Sequence, residues 1–156
     1  MKMMDWLAQM LGLPDQFCFS SEMGGGGVIQ GTASESTLIA MLCARSQTLR
    51  AKGLDPKMSG DDADNVDAKY DVMNRLVAYT STQAHSSVEK AALLSATRIR
   101  FLPTDPELGL DPQALRDQIK ADKRKGLIPF ILIATLGTTN TCAFDNLQNI
   151  GPICML

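Results

Sequence analysis

Apolar residues recur at helical spacing at the start of the chain, where Met4, Leu7, Met10 and Leu11 share one face and L-G-L-P closes the segment with glycine and proline. After the glycine run at 24–27, VIQG reads as a short strand end. SESTLIAMLCARSQTLRAKG (34–53) then reads as a long helix with Leu38, Met41, Leu42, Arg45 and Leu49 near one face and Gly53 as its stop. KMSGDDADNVD (57–67) has no periodicity and only Met58 and Val66 as larger apolar residues, which predicts a surface loop.

Beyond that loop the pattern changes. RLVAYTS (75–81) predicts a strand, SSVEKAALLSA (86–96) a helix, and RIRFLP (98–103) a second strand with alternating polar and apolar positions. DPQALRDQIKADKRKG (111–126) is punctuated at both ends: Asp111 can cap, Pro112 occupies the first helical position, and Gly126 follows the last turn. PFILIATLG (129–137) is continuously apolar, the pattern of a strand buried on both faces. Alternating strands and helices predict an α/β fold, a mostly parallel sheet with flanking helices. Three or four strands would leave both outer edges open, and NIGPICML begins a further helix, so residues 1–156 are expected to form one incomplete large domain.

Composition narrows the function. With 156 residues, 45% of them hydrophobic and 21% charged, the chain has the make-up of a soluble globular protein. A net charge of −2 argues against a nucleic-acid or membrane partner, and the cations of KADKRKG (120–126) read as a solvated helix end. The four cysteines, at 18, 43, 142 and 154, form no C-x-x-C pair, and the single histidine rules out a His-rich zinc site, so no metal is expected. Asp5 interrupts the opening apolar segment, which is not a secretory signal, and LIPFILIA (127–134) is too short to span a bilayer. These features predict a cytoplasmic protein with reduced thiols.

Candidate chemistry lies in three small-residue turns. GGGGVIQGTASEST (24–37) fails as a Walker A loop, because Thr32 stands where lysine is required, and it matches neither G-x-G-x-x-G nor G-x-S-x-G. What remains is a helix start whose N–H groups at 32–36 lie beside the hydroxyls of Thr32, Ser34 and Ser36. That is either an anion site suited to phosphate or a simple cap made by Ser34 or Thr32. TSTQAHSSVEKAALL (80–94) places His85 between a strand end and a helix start, where α/β proteins put ligand contacts, although a lone histidine is also a common structural residue. ATLGTTNTCAFDN (134–146) carries a buried strand out into hydroxyl-bearing residues. The three turns are expected to converge on one edge of the sheet.

Together these stretches resemble the group II pyridoxal-phosphate decarboxylases, in the branch of the aromatic-L-amino-acid and histidine decarboxylases. The matching segments are MMDWLAQMLGLP, GGGVIQGTASESTL, LVAYTSTQAHSSVEKA, GLIPFILIATLGTTNTCAFDN and IGPIC, in the family's order and spanning nearly the whole chain. The resemblance implies part of the large domain of a fold-type I pyridoxal enzyme. The parent would be a cytoplasmic homodimer that decarboxylates an aromatic L-amino acid, as in catecholamine biosynthesis, with pyridoxal 5'-phosphate as cofactor. It also implies that Ala33 and Ser34 hold the cofactor phosphate, that the glycines before them allow a close approach, that His85 is the catalytic residue stacking on the pyridine ring near the substrate carboxylate, and that Thr139 lines the cofactor.

The family continues to an aspartate in a D-A-A-Y-A-G context and to the cofactor-anchoring lysine in an N-P-H-K-W context, and neither motif occurs here. The chain alone is therefore expected to be inactive. Two other readings stay open: a non-catalytic product that pairs with a full-length subunit through a sheet edge and the MMDWLAQML helix, and an unrelated small-molecule binder sharing only the turn. Trp6 and the methionines of that helix otherwise have the character of core residues.

Overall fold

The computed structural model describes residues 2–22, 24–54 and 63–155. It divides into two units, Met1–Ser36 and Thr37–Leu156. In the first, α1 (Lys2–Met10) buries Ala8, and the Asp5 carboxylate that breaks its apolar run accepts a hydrogen bond from the Phe19 N–H at 2.7 Å. A 3-10 turn (Asp15–Phe17) follows. Of the expected apolar face, Leu7, Met10 and Leu11 are exposed and Met4 is half-buried, and Met3 and Trp6 beside it are exposed as well. VIQG forms no strand, and Val28 and Ile29 are exposed.

Two glycines of the run, Gly25 and Gly26, are required by packing against the preceding turn. A Cβ on Gly25 would lie 2.1 Å from the Gln16 carbonyl oxygen, and one on Gly26 would lie 2.6 Å from the Phe19 ring. At these two positions the absence of a side chain lets the backbone pass close to the Gln16 carbonyl and the Phe19 ring.

The second unit is built on a three-stranded parallel sheet of β1 (Leu76–Ser81), β2 (Arg98–Leu102) and β3 (Ile128–Ile133), in the order β2-β1-β3. The helices are α2 (Ala33–Ala51), whose first turn belongs to the N-terminal unit, α3 (Ala63–Arg75), α4 (Ser86–Leu94), α5 (Pro112–Arg124) and α6 (Leu147–Cys154). Side chains alternate across β1. Val77 and Tyr79 pack with Leu115 and Ile119 of α5 and Ile150 and Ile153 of α6. Ala78 packs on the opposite face with Met41 of α2 and Ala91 and Ala92 of α4, where alanines let helix and sheet approach closely. The sheet is therefore covered on both sides, as parallel sheets are.

Two sequence expectations change here. The strand buried on both faces is β1, all six residues of which are buried, whereas all six of β3 are half-buried because β3 lies at the side of the sheet. The register between β1 and β3 is irregular: Val77 pairs with Pro129 and Ala78 with Ile131, so Phe130 is an extra residue in a bulge beside a proline that cannot donate to the ladder. The loop expected over 57–67 lies partly outside the described residues, and its remainder, from Ala63, is the start of α3. That helix is polar and is held through Val72 and Met73 against Leu49 and Leu76, contacts that local periodicity does not reveal.

The helix signals hold. Asp111 Oδ1 accepts from the Gln113 N–H at 2.8 Å with Pro112 at the first position, and Gly53 and Gly126 adopt φ of +74° and +75° after α2 and α5. No described helix is long and apolar enough to cross a membrane, and all four cysteines are free thiols.

Inside the basic run that closes α5, Asp122 is fully buried. It accepts from Arg100 Nη2 at 2.9 Å and Nε at 3.2 Å, Gln118 Nε2 at 3.0 Å and Tyr79 Oη at 3.2 Å. Burial pushes its carboxyl up, but the hydrogen bonds from Arg100 and Gln118, the Arg100 charge and the Tyr79 hydroxyl together hold it below the usual carboxylate range. The same burial, with the Asp122 charge next to it, pushes the Tyr79 phenol up.

Candidate functional site

Parallel strands deliver their following loops to one edge, and ligand sites in such sheets form at the carboxyl ends where the strand order reverses. Here that point lies between β1 and β3. From β1 the chain passes through α4 to β2 on one side, and β3 pairs on the other. The loops that leave β1 and β3 carry His85 and Thr139. Their strand ends are joined by Thr80 Oγ1 donating to the Ile133 carbonyl at 2.9 Å, and Thr82 N–H donates to the Leu102 carbonyl at the end of β2.

His85 is exposed and is the N-cap of α4, with φ −63° and ψ 146°. Its Nδ1 accepts from the Ser87 backbone N–H at 3.1 Å and lies 2.9 Å from Ser87 Oγ. Its Nε2 makes no hydrogen bond among the described residues.

Thr139 is exposed at the tip of a self-bonded turn. Thr138 closes that turn: its hydroxyl accepts from the Ala143 N–H at 3.1 Å and contacts the Thr141 hydroxyl, and its carbonyl accepts from the Cys142 N–H at 2.9 Å. Gly137 (φ +90°) and Cys142 (φ +52°) give the turn its sharp corners. The Thr139 hydroxyl has no internal partner among the described residues and faces outward chemistry with its donor and acceptor capacity unused.

Asp145, which the sequence did not single out, secures this edge. Buried at 5% exposure, it accepts from the Leu110 N–H and the Thr135 N–H, each at 2.7 Å. It thereby ties the loop after β2 to the loop after β3. Its FDN setting reads locally as turn chemistry, and only the long-range partner at Leu110 distinguishes it.

In the N-terminal unit, Ala33 and Ser34 are the first two residues of α2. The cap is Thr32. Its Oγ1 accepts from the Glu35 N–H and its own N–H donates to Glu35 Oε2, both at 3.1 Å, a reciprocal capping box. Ser36 Oγ donates to the Thr32 carbonyl at 3.2 Å. Of the N–H groups and hydroxyls expected at 32–36, those of Thr32, Glu35 and Ser36 are therefore engaged internally. Of the three, the Ser34 hydroxyl alone has no partner among the described residues, and it lies beside the positive end of a helix 19 residues long. The Ser34 hydroxyl can donate to an anion such as a phosphate ester. Separately, in the second unit, the exposed imidazole of His85 and hydroxyl of Thr139 are polar groups open to a ligand.

The model of the pyridoxal-dependent decarboxylase conserved domain matches residues 1–155. Aromatic-L-amino-acid decarboxylase from Cavia porcellus is 46% identical over 153 residues, which cover 97% of this chain and 30% of that protein. Histidine decarboxylase from Mus musculus is 52% identical over 157 residues, covering 99% of this chain and 22% of the relative. The crystal structure of Oryza sativa TDC with PLP superposes with a TM-score of 0.76 at 35% identity, over 97% of this chain and 31% of that one. The chain thus spans less than a third of the length of these relatives. A parallel α/β sheet with its polar loops at the switch point, and a family match over nearly every residue, together establish that the chain belongs to the pyridoxal-dependent decarboxylase family.

Proposed function

We propose that the chain is the cofactor-holding part of a cytoplasmic, homodimeric enzyme that uses pyridoxal 5'-phosphate to convert an aromatic L-amino acid into its amine and CO2. The supporting observation is the pair of exposed side chains, His85 and Thr139, on loops that leave adjacent parallel strands where the strand order reverses. When bound, the cofactor supplies an electron sink for the bond to the departing carboxylate. The protein's contribution is binding and orientation. The N–H groups at Ala33 and Ser34 and the Ser34 hydroxyl take the ester phosphate. The imidazole of His85 covers one face of the ring and fixes the side on which the substrate carboxylate lies. The hydroxyl of Thr139 lines the cofactor.

Neither D-A-A-Y-A-G nor N-P-H-K-W occurs in these 156 residues, so the chain alone is expected to release no CO2. Equilibrium dialysis of the chain against pyridoxal phosphate tests the reading, with His85→Ala and Ser34→Ala expected to weaken binding. Equal retention by both variants overturns the assignment. CO2 release from L-DOPA, tyrosine or histidine above a heat-killed control overturns the expected inactivity.

The exposed face of α1 favours a second reading, in which the chain pairs with a full-length subunit through Met3, Trp6 and Met10. Co-purification with a longer homologous chain is its signature, and a monodisperse monomer counts against it.

A further inference from the structure

A histidine at an N-cap is an unusual choice, because aspartate, asparagine, serine and threonine offer shorter acceptors for the first-turn N–H groups. His85 nevertheless caps α4, and Ser87 supplies both of its contacts: the backbone N–H at 3.1 Å and the hydroxyl at 2.9 Å, each to Nδ1. A backbone N–H can only donate, so Nδ1 must present its lone pair. A neutral imidazole carries one ring proton, which then resides on Nε2. The frame around this contact is stiff. The His85 carbonyl accepts from the Val88 N–H at 2.9 Å, and α4 is anchored through buried Val88, Ala91 and Ala92.

We propose that Ser87 is a positioning residue for His85. It holds Nδ1 as an acceptor, fixes the Nε2–H tautomer and turns that N–H outward as a hydrogen-bond donor. The consequence for chemistry rests on the decarboxylase reading above: an outward N–H suits an anionic oxygen, such as the carboxylate of an amino acid, whereas an outward lone pair would repel it. The capping helix thus selects which polarity the ring shows to a ligand.

The single histidine makes the test direct, because ring-15N-histidine labelling of the 156-residue chain gives one imidazole spin system. Long-range 1H–15N correlation at about pH 8, where an ordinary imidazole is neutral, is expected to show a protonated Nε2 and an unprotonated, hydrogen-bonded Nδ1. Ser87→Ala keeps the backbone donor and is expected to shift the Nδ1 resonance towards that of free histidine. Ser87→Pro removes both donors without breaking a bond between helix backbone groups, since the Ser87 N–H donates only to the imidazole, and is expected to shift it fully. Ser87→Thr retains both and is expected to restore the native pattern. Circular dichroism checks that α4 survives. A native ring protonated on Nδ1, or Nδ1 shifts that match among the native, Ser87→Ala and Ser87→Pro chains, overturns the proposal. Cofactor is absent from this measurement, so a failure of the chain to retain pyridoxal phosphate in dialysis counts against the functional reading and leaves the tautomer result standing.

Discussion

The carboxylate of Asp145 accepts a hydrogen bond at 2.7 Å from the backbone N–H of Leu110, a residue 35 positions earlier in the chain. Its other oxygen takes the Thr135 N–H at the same distance, so one buried side chain joins the loops that follow β2 and β3. Gly109 lets them meet: a Cβ there would lie 2.7 Å from the Phe144 carbonyl oxygen.

Replacing Asp145 with asparagine keeps its size but sets an NH2 group against one of the two N–H donors. The expected cost is about 1–3 kcal/mol, that of a buried donor without a partner. Amide hydrogen exchange should then accelerate at Leu110 or Thr135 before it does in the core of β1. Unchanged protection at both amides would show that the clamp is dispensable.

The Asp122 cluster gives an acid dependence with a definite sign. A carboxyl held below its unfolded value, about 3.9 for an aspartate, stabilises the fold above that pH, and the contribution is lost as pH falls through the folded value. Stability should therefore drop below about pH 4, and Asp122→Asn should flatten that acid limb. Asp122→Ala leaves Arg100 and Tyr79 without their shared acceptor and should cost about 3–5 kcal/mol at neutral pH. Urea melts between acid and neutral pH measure both effects.

Thr32 and Ser34 sit two residues apart, so their variants distinguish the cap from the proposed phosphate contact. Thr32→Ala removes the cap and should lower stability by about 1 kcal/mol. Ser34→Ala should leave the thermal midpoint nearly unchanged while weakening pyridoxal phosphate binding about tenfold, the effect of one hydrogen bond to an anion. If both variants lose stability and neither loses affinity, the phosphate assignment fails.

Gly25→Ala tests the packing explanation for the glycine run. With its Cβ 2.1 Å from the Gln16 carbonyl, the methyl cannot be accommodated without moving the backbone at 16–18. The N-terminal unit should become sensitive to limited proteolysis while protection of β1 is retained. Gly12→Ala, which meets nothing within 4 Å, is the comparison, with only the strain of its positive φ to report.

What the sequence determined by itself was local or motif-borne. Asp111, Pro112 and Gly126 announced α5 because capping acts within one turn, and the family was legible because GVIQGTASE and QAHSSVEKA survive as contiguous strings. The location of His85, between a strand and a helix, followed from the change of period around it. The tertiary structure alone decided which strand is central, since that depends on pairing residues 76–81 with both 98–102 and 128–133. It also decided that a polar segment forms α3, that Thr32 rather than Ser34 is the cap, that Asp122 within a basic run is buried, and that Ser87 grips the imidazole. Each of these depends on which groups are brought into contact or left without water, and a carboxylate or hydroxyl reads the same in sequence whether its partner is water, a distant backbone N–H or an arginine on the next strand.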